Sequence, residues 1–142
     1  MSNEARTADL LRYFKKDKFA NYIGIELLDV KDGWAKATLE IKEHHLNGLN
    51  SVHGGVIFTL ADLVFAAASN SRGRVAVAIN NTISYVKAPQ GDVLFAEATE
   101  VALNHKLATY AVNVTDGQGQ VIAVFQGMVY RKGEKLDHYE KM

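Results

Sequence analysis

The sequence predicts an α+β domain in which one long apolar helix lies in the hollow of an antiparallel β-sheet. Three observations predict it. From 56 to 68 nearly every residue is Val, Ile, Phe, Leu or Ala and the only charge is Asp62, so the segment reads as a helix covered by protein on all sides. Five or six β-rich segments accompany it, several with clear apolar–polar alternation. Tight turns such as Asp32-Gly33 and Asp116-Gly117-Gln118-Gly119 join neighbouring segments as hairpins, which makes the sheet antiparallel. The sheet covers one side of the helix, and the plainest cover for the rest is a second copy of the chain.

Taken in order, residues 7–16 form a short amphipathic helix, with Leu10, Leu11 and Phe14 on one side and Lys and Arg on the other. Residues 22–30 are apolar enough for a strand, and Asp32-Gly33 turns the chain back. Beyond the turn, Ala35, Ala37, Leu39 and Ile41 share one face of a strand while Lys36, Thr38, Glu40 and Lys42 share the other. A polar loop, 43–52, carries the turn formers Asn47, Gly48, Asn50 and Ser51. The apolar helix follows and stops at Asn70-Ser71-Arg72-Gly73. Strands are expected at 75–86, 93–101, 106–115 and 121–130, the first closing near the chain's only proline, Pro89. Residues 131–142 read as a charged, frayed tail. The domain plan is an N-terminal helical segment over 1–20, one main domain over 21–131 and a C-terminal tail over 132–142.

Composition narrows the function. The chain has 142 residues, 48% hydrophobic and 23% charged, enough for one ordinary core. Sixteen basic residues balance sixteen acidic ones. No global field therefore draws nucleic acid or an anionic membrane, and an anionic ligand must be held by a few local residues. Cysteine is absent, which removes disulfides, thiolate catalysis and Cys-type metal sites. Residues 1–18 mix charges without the apolar stretch of a secretory signal. The run after Gly55 is shorter than the ~20 residues of a membrane span. The expectation is a soluble cytoplasmic protein that engages neither nucleic acid nor membrane.

Candidate chemistry concentrates where the apolar helix begins. Two adjacent glycines, Gly54 and Gly55, leave backbone N–H groups unshielded, and the first four N–H groups of a helix have no partner within it. Asp62, inside an apolar helix, is costly unless it is paired or used, because burial disfavours the charged form. An amide donor plus a carboxylate is equipment for acyl transfer. Plainer readings stand beside this one. Asp62 is then satisfied by a neighbouring hydroxyl or amide, and Gly54 and Gly55 merely permit close packing. His53 is then a structural histidine on a backbone carbonyl, and Asn47 a turn residue.

The order strand, strand, Asn47-x5-His53-Gly54-Gly55, Leu60-Ala61-Asp62 and then a run of strands resembles the hotdog-fold acyl-CoA thioesterases. Within them it looks most like the phenylacetic-acid-degradation type. The likeness covers residues 22–130 and is carried by NGLNSVHGGVIFTLADLVFAAASNS, which holds Asn, His-Gly-Gly and Asp at the family's spacing. It implies a hotdog fold, dimers that pair their sheets edge to edge, and a homotetramer built as a dimer of dimers. It implies cofactor-free hydrolysis of an acyl-CoA thioester, with an aryl-acetyl, aromatic or medium-chain acyl group, to free acid and CoA. In the family, the glycine matching Gly54 offers its N–H to the thioester oxygen, and the carboxylate matching Asp62 is nucleophile or general base. Residues matching Asn47 and His53 position water and substrate, and Gly55 and Tyr85 join the expected binding surface. Basic residues near the places of Lys87 and Lys106 are common there and suit the phosphates of CoA. Here His105 stands where the family usually has glycine, and as isolated lysines both residues also read as solvated charges.

Helix geometry adds a constraint. Gly54 and Asp62 are eight positions apart, roughly 12 Å along one helix axis and rotated by about 80°. A thioester carbonyl needs its oxyanion donor and nucleophile within about 3–3.5 Å of the reacting atoms. One helix cannot deliver both. Two antiparallel helices about a two-fold axis can, with Gly54 of one chain facing Asp62 of the other. Burial raises the proton affinity of Asp62, and a partner's helix N-terminus lowers it.

Other functions compete for the same residues. Hotdog hydratases use Asp-x5-His for enoyl-CoA hydration, but this chain has Asn47-x5-His53, and an amide cannot take the proton. A non-catalytic acyl-CoA-binding module is the third reading. His44-His45 lacks a third ligand at convincing spacing, so no metal site is expected. Phe58, Leu63 and Phe65 supply apolar surface for the acyl group.

Overall fold

The computed structural model describes residues 3–136. Helix α1 (Asn3–Phe14) presses Leu10 and Phe14 into the core. A second, short helix, α2 (Lys18–Ile23), stands where the strand had been expected to begin at Tyr22. Its ends explain the difference. The carboxylate of Asp17 accepts the N–H of Ala20 at 2.9 Å, and Gly24 closes the helix at a φ of 98°. Strand β1 (Ile25–Lys31) starts only after that stop.

β1 turns at Asp32-Gly33 into β2 (Trp34–Glu40), with Gly33 at a φ of 73°. A 3₁₀ turn, Glu43–His45, opens the polar loop that leads to α3 (Gly54–Asn70). Four strands follow: β3 (Arg74–Tyr85), β4 (Val93–Leu103), β5 (Leu107–Asp116) and β6 (Val121–Lys135). All pair antiparallel in one six-stranded sheet of order β1-β2-β4-β5-β6-β3. This is the hotdog arrangement, a sheet curled around a central helix.

β6 runs further than expected. Residues 131–135, read as tail, continue the strand, because Arg74 donates to the carbonyls of Lys132 and Arg131, both at 3.0 Å. Leu136 then donates its N–H to Gly73 and buries its side chain. The remainder of the expected tail, 137–142, lies outside the described residues.

Small side chains set how closely the helix approaches the sheet. Ala35, Ala37, Ala96, Ala98 and Ala108 are buried on the strands, while Leu60, Val64 and Phe65 fill the space from α3. The Phe65 ring stands 5.4 Å from that of Phe125 and 5.9 Å from that of Tyr110. A Cβ on Gly127 would fall 2.6 Å from the Phe65 ring, so only glycine leaves the ring its place. Truncating Leu60 to alanine would cost roughly 2–5 kcal/mol of stability.

One stripe of α3 escapes this cover. Beyond Gly54, the residues of α3 that are not buried are Gly55, Phe58, Thr59, Asp62 and Ala66, spaced as a single helix face. β3 is the last strand of the sheet, and no described strand pairs its outer edge, where Val77, Ile79 and Tyr85 are exposed. No described helix is long and apolar enough to cross a membrane.

Candidate active site

The N-terminus of α3 is held by two histidines. His45 is 1% exposed and spends both ring nitrogens inside the chain. Its Nδ1 accepts the Lys42 N–H at 2.8 Å, so Nε2 carries the proton and donates to the carbonyl of Ile23 at 2.7 Å. The His45 carbonyl in turn accepts the N–H of His53 at 2.8 Å, fixing the residue that caps α3. His53 had been expected on a backbone carbonyl in its structural reading; instead its Nδ1 accepts the N–H of Gly55 at 2.8 Å. That leaves Nε2–H on the exposed side of the ring.

The four N–H groups of the first turn are thereby sorted. Gly55 is bound by the His53 ring, and Val56 and Ile57 donate to the His53 carbonyl at 3.0 and 3.4 Å. The Gly54 N–H alone has no acceptor among the described residues. It sits at the positive end of the helix and suits an oxyanion.

Asp62 lies two turns further along the open stripe, half-buried, with no hydrogen-bond partner among the described residues. Burial holds its carboxyl above the usual carboxylate range, and the charge of Asp17 at the start of α2 pushes the same way. No hydroxyl or amide among the described residues satisfies it, so its plainer reading, a carboxylate met by a neighbouring hydroxyl or amide, is left to a partner at a dimer seam. Thr59, one turn before, directs its hydroxyl to the Gly55 carbonyl at 2.7 Å and leaves Asp62 alone.

Tyr85 closes the other flank. Its hydroxyl donates to the Gly54 carbonyl at 3.1 Å, and its ring would meet a Cβ on Gly54 at 3.2 Å. Gly54, Tyr85 and Lys87 line one cleft of about 460 Å³, with Ser51, Val52 and Pro89. Asn47 shapes the loop beside it: its Oδ1 accepts the N–H groups of Leu49 at 2.9 Å and Ser51 at 3.2 Å. Lys106 is not brought there. Its carbonyl pairs with Arg131, whereas the Lys87 N–H pairs with Ile122, nine residues away along β6, or about 30 Å of strand. Of the residues offered for the acyl group, Phe65 is core, Phe58 is half-buried against Phe125, and only Leu63 borders a second cavity.

Residues 49–123, more than half of the chain, match the Thioesterase superfamily model. The chain belongs to that superfamily. A protein of Archaeoglobus fulgidus is 46% identical over 122 residues, 85% of this chain and 79% of its own length. The acyl-coenzyme A thioesterase PaaI of Escherichia coli is 34% identical over 121 residues, covering 84% of this chain and 86% of that protein. The solved structure of E. coli PaaI, from the phenylacetic acid degradation operon, aligns with a TM-score of 0.89 at 31% identity. That alignment covers 94% of this chain and 99% of that one. The structure of smu.793 from Streptococcus mutans bound to acetyl CoA aligns at 27% identity and a TM-score of 0.75, over 79% of this chain and 91% of that one.

This thioesterase is thus of the PaaI hotdog type, and its candidate site has two halves on one helix that do not meet within one chain. The sequence reading missed Asp17 and His45. Asp17 carried a signal, a capping residue ahead of a segment that a glycine stops. His45 carried none, since only burial separates it from His44.

Proposed function

We propose that this thioesterase hydrolyses an acyl-CoA ester to the free acid and CoA at sites shared between two protomers. The reading rests on one observation: among the described residues neither the Gly54 N–H nor the Asp62 carboxylate has a hydrogen-bond partner, and Asp62 lies on the uncovered side of α3. A two-fold partner seated on that side brings each group opposite its complement. The free edge of β3 suits the seam, and the resemblance extends it to a dimer of dimers.

The chemistry then follows. The thioester carbonyl oxygen accepts the N–H of Gly54, and Asp62 of the facing protomer takes a proton from water as the hydroxide adds to the carbonyl carbon. Negative charge gathers on the oxygen, where the amide already points. The tetrahedral species collapses, the C–S bond breaks, and CoA leaves as thiolate, taking up the proton. Direct attack by Asp62, followed by hydrolysis of the anhydride, consumes the same water and yields the same products. The exposed Nε2–H of His53 and the Asn47 amide position water and thioester, and no cofactor or metal takes part.

The same two-fold axis gives Lys106 a role. With β3 edges antiparallel, the Tyr85 end of one strand lies beside the Arg74 end of the other, and that end carries the partner copy of the Lys106 turn. Lys87 and a partner's Lys106 then flank one CoA from different chains. Hydration of an enoyl-CoA is disfavoured, because the Asn47 oxygen is spent on two backbone N–H groups. By likeness to PaaI the acyl group is aryl-acetyl, aromatic or medium-chain, which fits phenylacetate degradation in the cytoplasm. Release of free thiol over a panel from acetyl-CoA to decanoyl- and phenylacetyl-CoA tests the reading; no thiol from any member defeats it.

A further inference from the structure

A second hollow, of about 310 Å³, lies between α1, α2, β1 and α3. Six apolar residues, among them Leu11, Phe14 and Leu63, line it together with Lys15, Asn21 and Glu26. Leu63 directly follows Asp62 on α3. Asp17, whose charge reaches Asp62, begins the helix that supplies Ala20. The hollow therefore meets α3 one residue past the reacting carboxylate, whereas the cleft of Gly54, Tyr85 and Lys87 lies at the N-terminal end of the helix. Its size falls at the lower end of the ~300–1,000 Å³ of ligand pockets, right for an acyl tail and too small for a nucleotide. A larger hollow of about 690 Å³ lies between α1 and Asp32, at the end of α3 remote from Gly54, and borders neither reacting group.

We infer that the hollow bounded by α1, α2, β1 and Leu63 receives the acyl chain, so that the N-terminal helices set which thioesters are taken. This rests on the acyl-CoA reading and adds a specificity site to it. The carbonyl sits between Asp62 and the partner's Gly54, CoA runs on to the partner's Lys87, and the tail turns beneath α1. Each methylene buried there raises kcat/KM about three- to fourfold until the hollow is full.

The test compares kcat/KM from acetyl- to decanoyl-CoA in the full-length protein and its variants. Leu11→Trp narrows the hollow from its rim, and the octanoyl-to-acetyl ratio falls tenfold or more. Leu63→Ala widens it, and the optimum moves to longer chains. Leu28→Trp, an exposed residue of β1 outside the lining, keeps the wild-type profile. If Leu11→Trp and Leu63→Ala both fold and both keep that profile, the tail lies elsewhere and the inference is overturned. Calorimetry with octyl-CoA and ethyl-CoA thioethers reads the same preference without turnover. A wild type that hydrolyses no acyl-CoA sinks the thioester reading; loss of the octyl preference in Leu11→Trp still supports the hollow, and its retention overturns it.

Discussion

The Nδ1 of His53 accepts the N–H of Gly55 at 2.8 Å, and this bond decides which amide of α3 is left for a ligand. With Val56 and Ile57 both bound to the His53 carbonyl, the first turn keeps one donor without an acceptor among the described residues, the Gly54 N–H. A helix N-terminus usually offers several. Here it offers one, at a defined place.

That donor can be deleted without disturbing the helix. Gly54 is the first helical position, where proline is well tolerated, and His53 already has the extended backbone that precedes proline, at φ −61° and ψ 134°. Gly54→Pro is expected to lower kcat by about 10²–10³-fold with near-native circular dichroism. Gly54→Ala keeps the N–H and is expected to lose less, its Cβ displacing only the exposed Tyr85 ring. Equal losses in the two variants would remove the oxyanion role.

The two roles of His53 separate in a pair of variants. His53→Ala loses the cap and is expected to cost about 1 kcal/mol, or roughly 2–4 °C in Tm. His53→Asn restores an acceptor for the Gly55 N–H, and with it the Tm. It does not restore the ring Nε2–H, so kcat stays roughly tenfold or more below wild type. Recovery of both together would make the histidine a cap and nothing else.

Where the sequence spoke clearly, it did so through periodicity and turn chemistry. The long apolar run around Asp62 marked α3, and Asp32-Gly33 and Asp116-Gly117 marked hairpins. The end of α2 was illegible by its side chains, since Tyr22 and Ile23 read as strand; six residues are too few to show a period. The end of β6 was illegible for the opposite reason: Arg131, Lys132 and Lys135 look like solvent, and the distant Arg74, Ala76 and Lys106 hold their backbone in the sheet. Asp62 and Gly54 were legible because apolar surroundings made each conspicuous. That Phe65 is core while Leu63 borders the hollow depends on where the curled sheet touches the helix, and no local pattern carries that.

Asp62 links activity to pH. Burial and the charge of Asp17 raise its proton affinity, so the neutral form is favoured in the folded chain. The stability this gives is complete below the ordinary carboxylate range and is lost as pH rises through the raised folded value. Ionised Asp62 is therefore a cost at neutral pH, which Asp62→Asn removes. That variant is expected to melt higher than wild type at neutral and mildly alkaline pH, with the gain shrinking in acid, while kcat falls by orders of magnitude. Asp17→Asn removes one of the two causes, so the acid limb of kcat/KM moves to lower pH. A limb that stays in place would mean that Asp17 does not act on the base.

The lysines are expected to act on binding alone. Both are exposed, and each meets phosphate through solvent-screened attraction. Lys87→Ala and Lys106→Ala should each raise KM several-fold with kcat unchanged, and the difference from wild type should shrink as salt is added. A fall in kcat instead would place the side chain at the reacting atoms.

Shared sites make the strongest demand. Gly54→Pro and Asp62→Asn each disable every site of a homodimer, but by opposite halves. In a mixed dimer one site carries both defects and the other carries none. Exchange at equal concentration gives half mixed dimers with one good site in two, so about a quarter of wild-type activity returns from two inactive preparations. The regained activity should also show wild-type KM and pH dependence, since the surviving site is unaltered. If both groups acted within one chain, every chain in the mixture would still lack one of them, and activity would stay at the level of the separate variants however long the subunits exchange.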